Sequence, residues 1–280
     1  MQDTRPHFRR LAILWLVSSI VLTLLVVLVL APGLPPGNGT VQSSAQVQDN
    51  IVLLALSTPV ALAVLLGVGY CLIVFRVRKG DEAVLDGPAV RGNSSIELWW
   101  LVVTTSLVLF AAAFGSIRLL EDGAGSGQGP NPISKPAGAE HAIKVQVIAQ
   151  QWQFTYRYPG EGDFETNQLV IPAHSVVEFD VTSLDVIHSF WAYQLGVKAD
   201  ATPGTSNIAY VTTKYPLNFE VHCAELCGVW HGYMFDAGKV VSKADFATWV
   251  AQEQKNFAPA TKNLPPFNRV YFPAPTRRGG

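Results

Sequence analysis

The chain has 280 residues, a formal net charge of -1 and 49% hydrophobic side chains. That length suits membrane segments plus one modest globular domain rather than a large multidomain enzyme. The near-neutral charge excludes a strongly basic nucleic-acid binder, and three cysteines are too few for a disulfide framework.

Hydrophobicity is concentrated in three runs. Leu11 to Leu30, Ile51 to Phe75 and Leu98 to Ile117 contain no charged side chain, and a bilayer core takes about 20 helical residues to cross. A membrane anchor is therefore predicted over residues 1–120, with helices at about 11–30, 51–75 and 98–117. Arg5, Arg9 and Arg10 precede the first run, and Arg76, Arg78, Lys79 and Arg91 lie between the second and third. Residues 31–50 hold no Lys or Arg. Because basic residues collect on the cytoplasmic side, the N-terminus is expected inside and the C-terminal domain outside. The first run follows a basic stretch as a secretory signal does. It is longer than the usual signal core of about 7 to 15 residues, and no A-x-A site follows, so a retained helix is expected. Cys71, inside the second run, reads as a small apolar filler.

Residues 121–139 are rich in Gly, Pro, Ser and Asn and read as a linker. Short strand-like runs follow at 143–149, 152–158, 169–171, 176–182, 208–213, 217–222 and 235–241, punctuated by turns such as Pro159-Gly160 and Pro203-Gly204. Many short strands in close succession predict a β-sandwich or barrel over residues 140–255. A helix is expected at about Lys243 to Lys255, capped by Ser242 with Asp245 near the positive end of its dipole. Phe246, Trp249 and Val250 give that helix one apolar face. The tail, residues 256–280, rich in Pro, Asn and aromatics, is expected to lie extended over another surface.

The segment Cys223-Ala-Glu225-Leu-Cys227-Gly-Val-Trp-His231-Gly-Tyr-Met234 gathers two thiols, an imidazole and a thioether within a few turns of chain. This is a soft donor set, and softness selects copper over magnesium, calcium or manganese. Met234 is the chain's second methionine, Met1 being the other. Structural zinc takes four Cys or His ligands and seldom a thioether. A mononuclear blue-copper site takes one Cys, two His and a weak axial Met, which leaves the second cysteine over. Two thiolates can instead bridge two copper ions, and such a pair needs a second nitrogen. His188, in Asp185-Val-Ile-His188-Ser, is the candidate, at the start of what reads as another loop. His7, His141, His174 and His222 read as surface or packing residues; on a strand, His222 would point away from Cys223. A cysteine pair alone in an exported domain is more often a disulfide; it is the added Glu, His and Met in fixed order that point to metal.

This order, C-A-E-L-C-G-x-x-H-G-x-M, with D-V-I-H-S and L-G-V-K-A-D-A-T-P-G upstream, resembles subunit II of cytochrome c oxidases over roughly residues 50–250. The resemblance implies N-terminal transmembrane helices followed by an all-β cupredoxin-like sandwich holding the binuclear copper centre CuA. It implies that His188, Cys223, Cys227, His231 and Met234 ligate copper through side chains and Glu225 through its backbone carbonyl. The Glu225 side chain is implied to reach a magnesium ion shared with subunit I. Trp152, in Gln151-Trp152-Gln-Phe154-Thr-Tyr156-Arg157-Tyr158, matches the electron entry point for cytochrome c or a membrane-bound c-type cytochrome. Phe154 and Tyr156 fit that aromatic stretch and a packed core equally. Glu97 matches a glutamate at the cytoplasmic mouth of a proton channel into subunit I, and it also suits a helix N-terminus. Trp99 and Trp100 suit the membrane interface.

By the same resemblance, the partners are subunits I and III, lipid of the plasma or inner membrane, and a cytochrome docking on the outer or periplasmic face. Oxygen reduction and proton pumping belong to the complex, with the oxygen chemistry on subunit I. Arg157 and Thr205 depart from residues common in the family, where Glu and Arg stand; Glu161, Asp163, Glu165 and Asp185 offer an alternative acidic docking surface. A copper-free quinol-oxidase subunit is expected to lack these ligands, nitrous oxide reductase carries a large further domain, and a copper chaperone needs no three spans. An appended haem c domain needs C-x-x-C-H, and neither Cys223 nor Cys227 is so placed.

Overall fold

The computed structural model describes residues 5–76 and 92–263, with side chains for residues 6–76 and 92–257. Arg78, Lys79 and Arg91, which the orientation argument uses, and the tail beyond residue 263 lie outside the described residues. Two units form, one from residues 1–33 and 48–116, the other from residues 34–47 and 117–280.

The first unit holds three helices long and apolar enough to cross a membrane, with mean hydropathies of 3.0, 2.6 and 2.0 in their most apolar stretches. Helix α1 (Arg5–Leu25) runs into a π turn (Val26–Leu30). Helix α2 (Val41–Val74) starts well before the predicted Ile51, and α3 (Ser94–Asp122) overruns its predicted run at both ends. The hydropathy limits mark where a bilayer would begin, whereas the helix limits are set by caps. Asn93 caps α3, its Oδ1 accepting from the amides of Ser95 at 3.1 Å and Ile96 at 3.2 Å. The Glu97 carboxylate reaches back to the Asn93 amide at 3.1 Å, closing the cap reciprocally. Between α1 and α2, the Trp15 indole donates to Pro59 O at 2.8 Å and His7 Nδ1 meets the Tyr70 hydroxyl at 2.9 Å.

The second unit is a sandwich of two five-stranded sheets. Strands β1 (Ile143–Gln150), β2 (Gln153–Arg157), β3 (Glu165–Thr166), β5 (Val176–Ser183) and β8 (Asn207–Thr212) form one sheet in the order β3-β2-β1-β5-β8. Strands β4 (Leu169–Pro172), β6 (His188–Ala192), β7 (Val197–Ala201), β9 (Leu217–Cys223) and β10 (Phe235–Val241) form the other, ordered β4-β10-β9-β6-β7. Each sheet is mixed, with β1 parallel to β5 and β4 parallel to β10. Alternate residues meet between the layers: Val145 and Val147 from β1, Phe154 and Tyr156 from β2, Phe179 from β5, Phe190 from β6, Phe219 and Val221 from β9. Phe190 crosses the interlayer space to Phe154 at 6.0 Å, edge to face, and to Phe179 at 5.1 Å.

Three strands escape the sequence reading. β3 is only two residues long. β6 is buried at four of five positions, so no alternation marks it, and His188 opens this strand instead of starting a loop. β7, Val-Lys-Ala-Asp-Ala, alternates strictly, and that signal was there to be read.

Helix α4 (Lys243–Asn263) extends past Lys255, so residues 256–263, assigned to an extended tail, are helical. Its Phe246 and Trp249 pack on Tyr158 at 6.5 and 5.1 Å. The first turns of α2 also belong to this unit. Thr40 caps them by accepting from the Ser43 amide at 2.9 Å, and its own hydroxyl donates to Leu195 O at 2.6 Å. Gln42 accepts from the Thr212 amide at 2.8 Å, occupying the free edge of β8. Gly196, at φ +64°, is required here because a Cβ would lie 2.6 Å from the Ser43 amide nitrogen.

Candidate metal centre

Strands β6 and β9 run side by side with Phe190 opposite Cys223, and the Ala224 amide donates to Ser189 O at 3.0 Å. The chain then loops from residue 224 to 234 and returns as β10, with the Cys223 amide donating to Met234 O at 3.0 Å. A β-strand thus delivers His188, and a hairpin loop delivers Cys223, Cys227, His231 and Met234, to one end of the sandwich.

Their donor atoms converge. The Cys223 and Cys227 sulfurs lie 3.7 Å apart. Cys223 Sγ is 3.8 Å from His188 Nδ1, and Cys227 Sγ is 3.5 Å from His231 Nδ1. Met234 Sδ lies 3.1 Å from His188 Nδ1 and 3.9 Å from Cys227 Sγ. The Glu225 carbonyl oxygen is 3.3 Å from Cys223 Sγ, while its side chain belongs to an exposed residue. His188 is fully buried, Cys223, Cys227 and Met234 nearly so, and His231 half-buried. Both cysteines are free thiols, which rules out the disulfide alternative in this structure. Among the described residues, His188, Cys223 and Cys227 are the single group of three His, Cys or acid side chains close enough to share an ion. Two sulfurs, two imidazole nitrogens and a thioether suit copper, so the donor set fits the metal the sequence points to.

A shell of hydrogen bonds orients these donors. Asp185 Oδ1 accepts from His188 Nε2 at 2.9 Å, which leaves the Nδ1 lone pair facing the sulfurs. Asp185 Oδ2 accepts from the Gln151 amide at 2.7 Å. The Gln151 side chain and the Trp152 indole both donate to Cys227 O, at 2.8 and 3.2 Å. Gly228, at φ +119°, passes so close beneath them that a Cβ would lie 2.9 Å from Gln151 Nε2.

The electrostatics follow from two thiols in one small space. Burial pushes the Cys223 thiol up, but the adjoining His188 ring and the backbone at Glu225 and Ser189 more than offset it and bring it down to about 6. Burial, then the neighbouring Cys223 sulfur, pushes Cys227 up to about 12. One thiolate forms readily and a second is repelled, and a cation between them removes that conflict. Burial pushes His188 down, yet Cys223 and Asp185 outweigh it and raise it; burial pushes Asp185 up, and the Gln151 amide and His188 bring it down.

Every side chain proposed from sequence as a copper ligand is thus in this cluster. Trp152 sits half-buried in the two-residue turn between β1 and β2, joined to Cys227 O. Phe154 and Tyr156 are core residues. Glu97 belongs to the other unit, at the cap of α3. His222 points outward to Glu220 at 3.3 Å, as its strand position predicts. Of the acids named as a docking surface, Asp185 is tied to His188 and Gln151, and Glu165 pairs with Arg157 at 2.8 Å. Sequence reasoning missed Asp185 and Gln151 as supports of the centre. The signal for Asp185 was its spacing of three from His188; nothing local marked Gln151.

Residues 161–241 match the family described as cytochrome c oxidase subunit II, periplasmic domain. The probable cytochrome c oxidase subunit 2 of Rickettsia bellii (strain RML369-C) is 31% identical over 243 residues, 79% of this chain and 83% of that protein. Cytochrome c oxidase subunit 2 of Synechocystis sp. (strain ATCC 27184 / PCC 6803 / Kazusa) is 28% identical over 65% of this chain and 64% of its own length. Among solved structures, the periplasmic domain of subunit II of cytochrome oxidase (CoxB) of Bradyrhizobium japonicum is 34% identical over 41% of this chain and 95% of that one, with a TM-score of 0.40. Joined to three membrane-capable helices, a cupredoxin-like sandwich and a copper-type donor cluster, the family match and the Rickettsia bellii relative show that the chain belongs to the cytochrome c oxidase subunit II family and is a subunit of that enzyme.

Proposed function

We propose that this chain is the electron-entry subunit of its oxidase. It takes electrons from cytochrome c or a membrane-bound c-type cytochrome at a binuclear copper centre, CuA, and passes them to the haem-copper site of subunit I. The observation that carries the two-metal reading is the pairing of donors: two free thiols 3.7 Å apart, each with its own imidazole, His188 beside Cys223 and His231 beside Cys227. A mononuclear copper site would use one of those thiols and leave the other unexplained.

Bound copper would supply one-electron redox capacity through the thiolates. The work of the chain's own residues is to hold the donors still. His188, Cys223, Cys227, His231 and Met234 present side chains, and Glu225 its carbonyl. Asp185 and Gln151 lock the two loops against each other, and the closed interior keeps water from the sulfurs. A donor set that does not rearrange keeps the reorganisation cost of electron transfer low. Trp152, half-buried and bonded to Cys227 O, offers the short route inward from a docked cytochrome. The exposed Glu225 side chain is assigned to a magnesium ion shared with subunit I, and Glu97 to the entrance of a proton channel there. In this reading the chain lies in the plasma or inner membrane beside subunits I and III, N-terminus in the cytoplasm, copper domain on the outer or periplasmic face, and proton pumping is a property of the whole complex.

The test is electron paramagnetic resonance of the full-length chain loaded with copper. A seven-line signal from one electron shared by two coppers is expected. A four-line mononuclear signal, or no copper uptake, overturns the proposal.

A further inference from the structure

Helix α1 carries a basic groove that neither the copper chemistry nor the packing of the chain uses. Its walls are Pro6, Arg9, Arg10 and Ile13, and it encloses about 520 Å³. That spacing, i, i+3, i+4 and i+7, puts the four side chains on one face of the helix. His7 and Trp15, which hold α2 through the Tyr70 hydroxyl and Pro59 O, lie on the other side. The groove therefore faces away from α2, towards the lipid of any bilayer that α1 crosses.

Its charge is one-sided. Arg9 and Arg10 are exposed, no acidic residue lines the groove, and neither guanidinium has an ion pair or hydrogen bond among the described residues. Two like charges on adjacent residues repel, and an anion between them removes that cost. The depth of the groove then narrows the choice of anion. The uncharged run begins at Leu11, directly after Arg10, and Ile13 lies about 4.5 Å beyond Arg10 along the axis at 1.5 Å per residue. Two cations at the level of lipid headgroups thus adjoin an apolar wall at the edge of the hydrocarbon. A free inorganic anion would use the arginines alone, whereas a phospholipid fits both parts.

We propose that this groove binds one anionic phospholipid, its phosphate against Arg9 and Arg10 and the start of an acyl chain along Ile13. A guanidinium grips phosphate oxygens through two parallel N–H···O bonds, which an ammonium cannot do. Basic residues beside a span also keep it oriented in the membrane, but that role needs charge alone. A lipid site needs the fork as well.

Native mass spectrometry of the full-length chain in detergent tests this, with dioleoyl phosphatidylglycerol as the probe and dioleoyl phosphatidylcholine and inorganic phosphate as parallel arms. Saturable phosphatidylglycerol binding is expected, about tenfold or more tighter than phosphatidylcholine, since each arginine near the surface adds about 1 kcal/mol for an anionic lipid. Millimolar phosphate should not displace it. Joint replacement Arg9→Gln and Arg10→Gln should remove that preference. Joint replacement Arg9→Lys and Arg10→Lys, which keeps the charge, should still weaken binding severalfold because the forks are lost. An unchanged circular dichroism spectrum shows that the helices of both variants are intact, and the comparison of lipids on the unaltered chain needs neither variant. Equal binding of the two lipids, or undiminished binding in the glutamine variant, overturns the proposal. So does a lysine variant that matches the parent chain, which would make the arginines orienting charges only, or displacement by phosphate, which would make the groove a site for free anions.

Discussion

His188 shows how much of the centre is decided one bond away from the metal ligands. Its Nε2 is spoken for by Asp185, so a single orientation of the ring survives and Nδ1 faces the sulfurs. Asp185 also accepts the Gln151 amide and so tethers the turn that carries Trp152. Asp185→Ala should therefore weaken copper binding by about 10- to 100-fold, the range seen when partners of metal ligands are removed. Competition with a copper chelator measures this in the full-length chain; an unchanged affinity would mean that packing alone holds His188. The clustered donor side chains were legible in the sequence because soft donors are rare and these fall in a fixed order. Asp185 was visible too, but an exposed-looking acid in a linear sequence does not declare which partner it folds against.

Caps and edges decide the elements. Ser242 Oγ accepts from the Asp245 amide at 3.1 Å, the cap predicted from sequence, and also donates to the Asp245 carboxylate at 2.7 Å. Ser242→Ala should cost about 1 kcal/mol, and Ser242→Gly only a few tenths. Chemical denaturation followed by circular dichroism reads the difference, and equal losses for the two variants would argue against a capping role. The far end of α4 was misplaced because Asn and Pro content suggested an extended tail, whereas the helix continues to Asn263. The start of α2 was misplaced for a different reason. Residues 41–50 are too polar for a bilayer but are good helix formers once Thr40 caps them and Gln42 and Gln46 find partners on Thr212 and Gly196.

At the scale of the whole chain, three membrane-capable helices and one sandwich with a copper-type donor cluster form separate units. In the proposed orientation, argued from the charge bias, the N-terminus is inside and the sandwich outside. Alkaline phosphatase, active only outside the cytoplasm, should be active when fused after Gly280 and silent when fused before Met1. The reverse pattern would invert the proposed direction of electron flow.

Sequence by itself determined the three spans, the all-β character of the second half and the chemistry of the donors, because apolar run length, strand punctuation and donor softness are properties of short stretches of chain. Only the tertiary structure decided that His188 begins a strand, that Asp185 and Gln151 brace the centre, and that Asp180 Oδ1 is buried with no hydrogen-bond partner among the described residues. Each of those depends on strand pairing: β6 beside β9, the β1–β2 turn against the Cys227 loop, β5 between β1 and β8. Contacts between residues so far apart along the chain are fixed by which strands neighbour each other, and no local pattern of residues encodes that order.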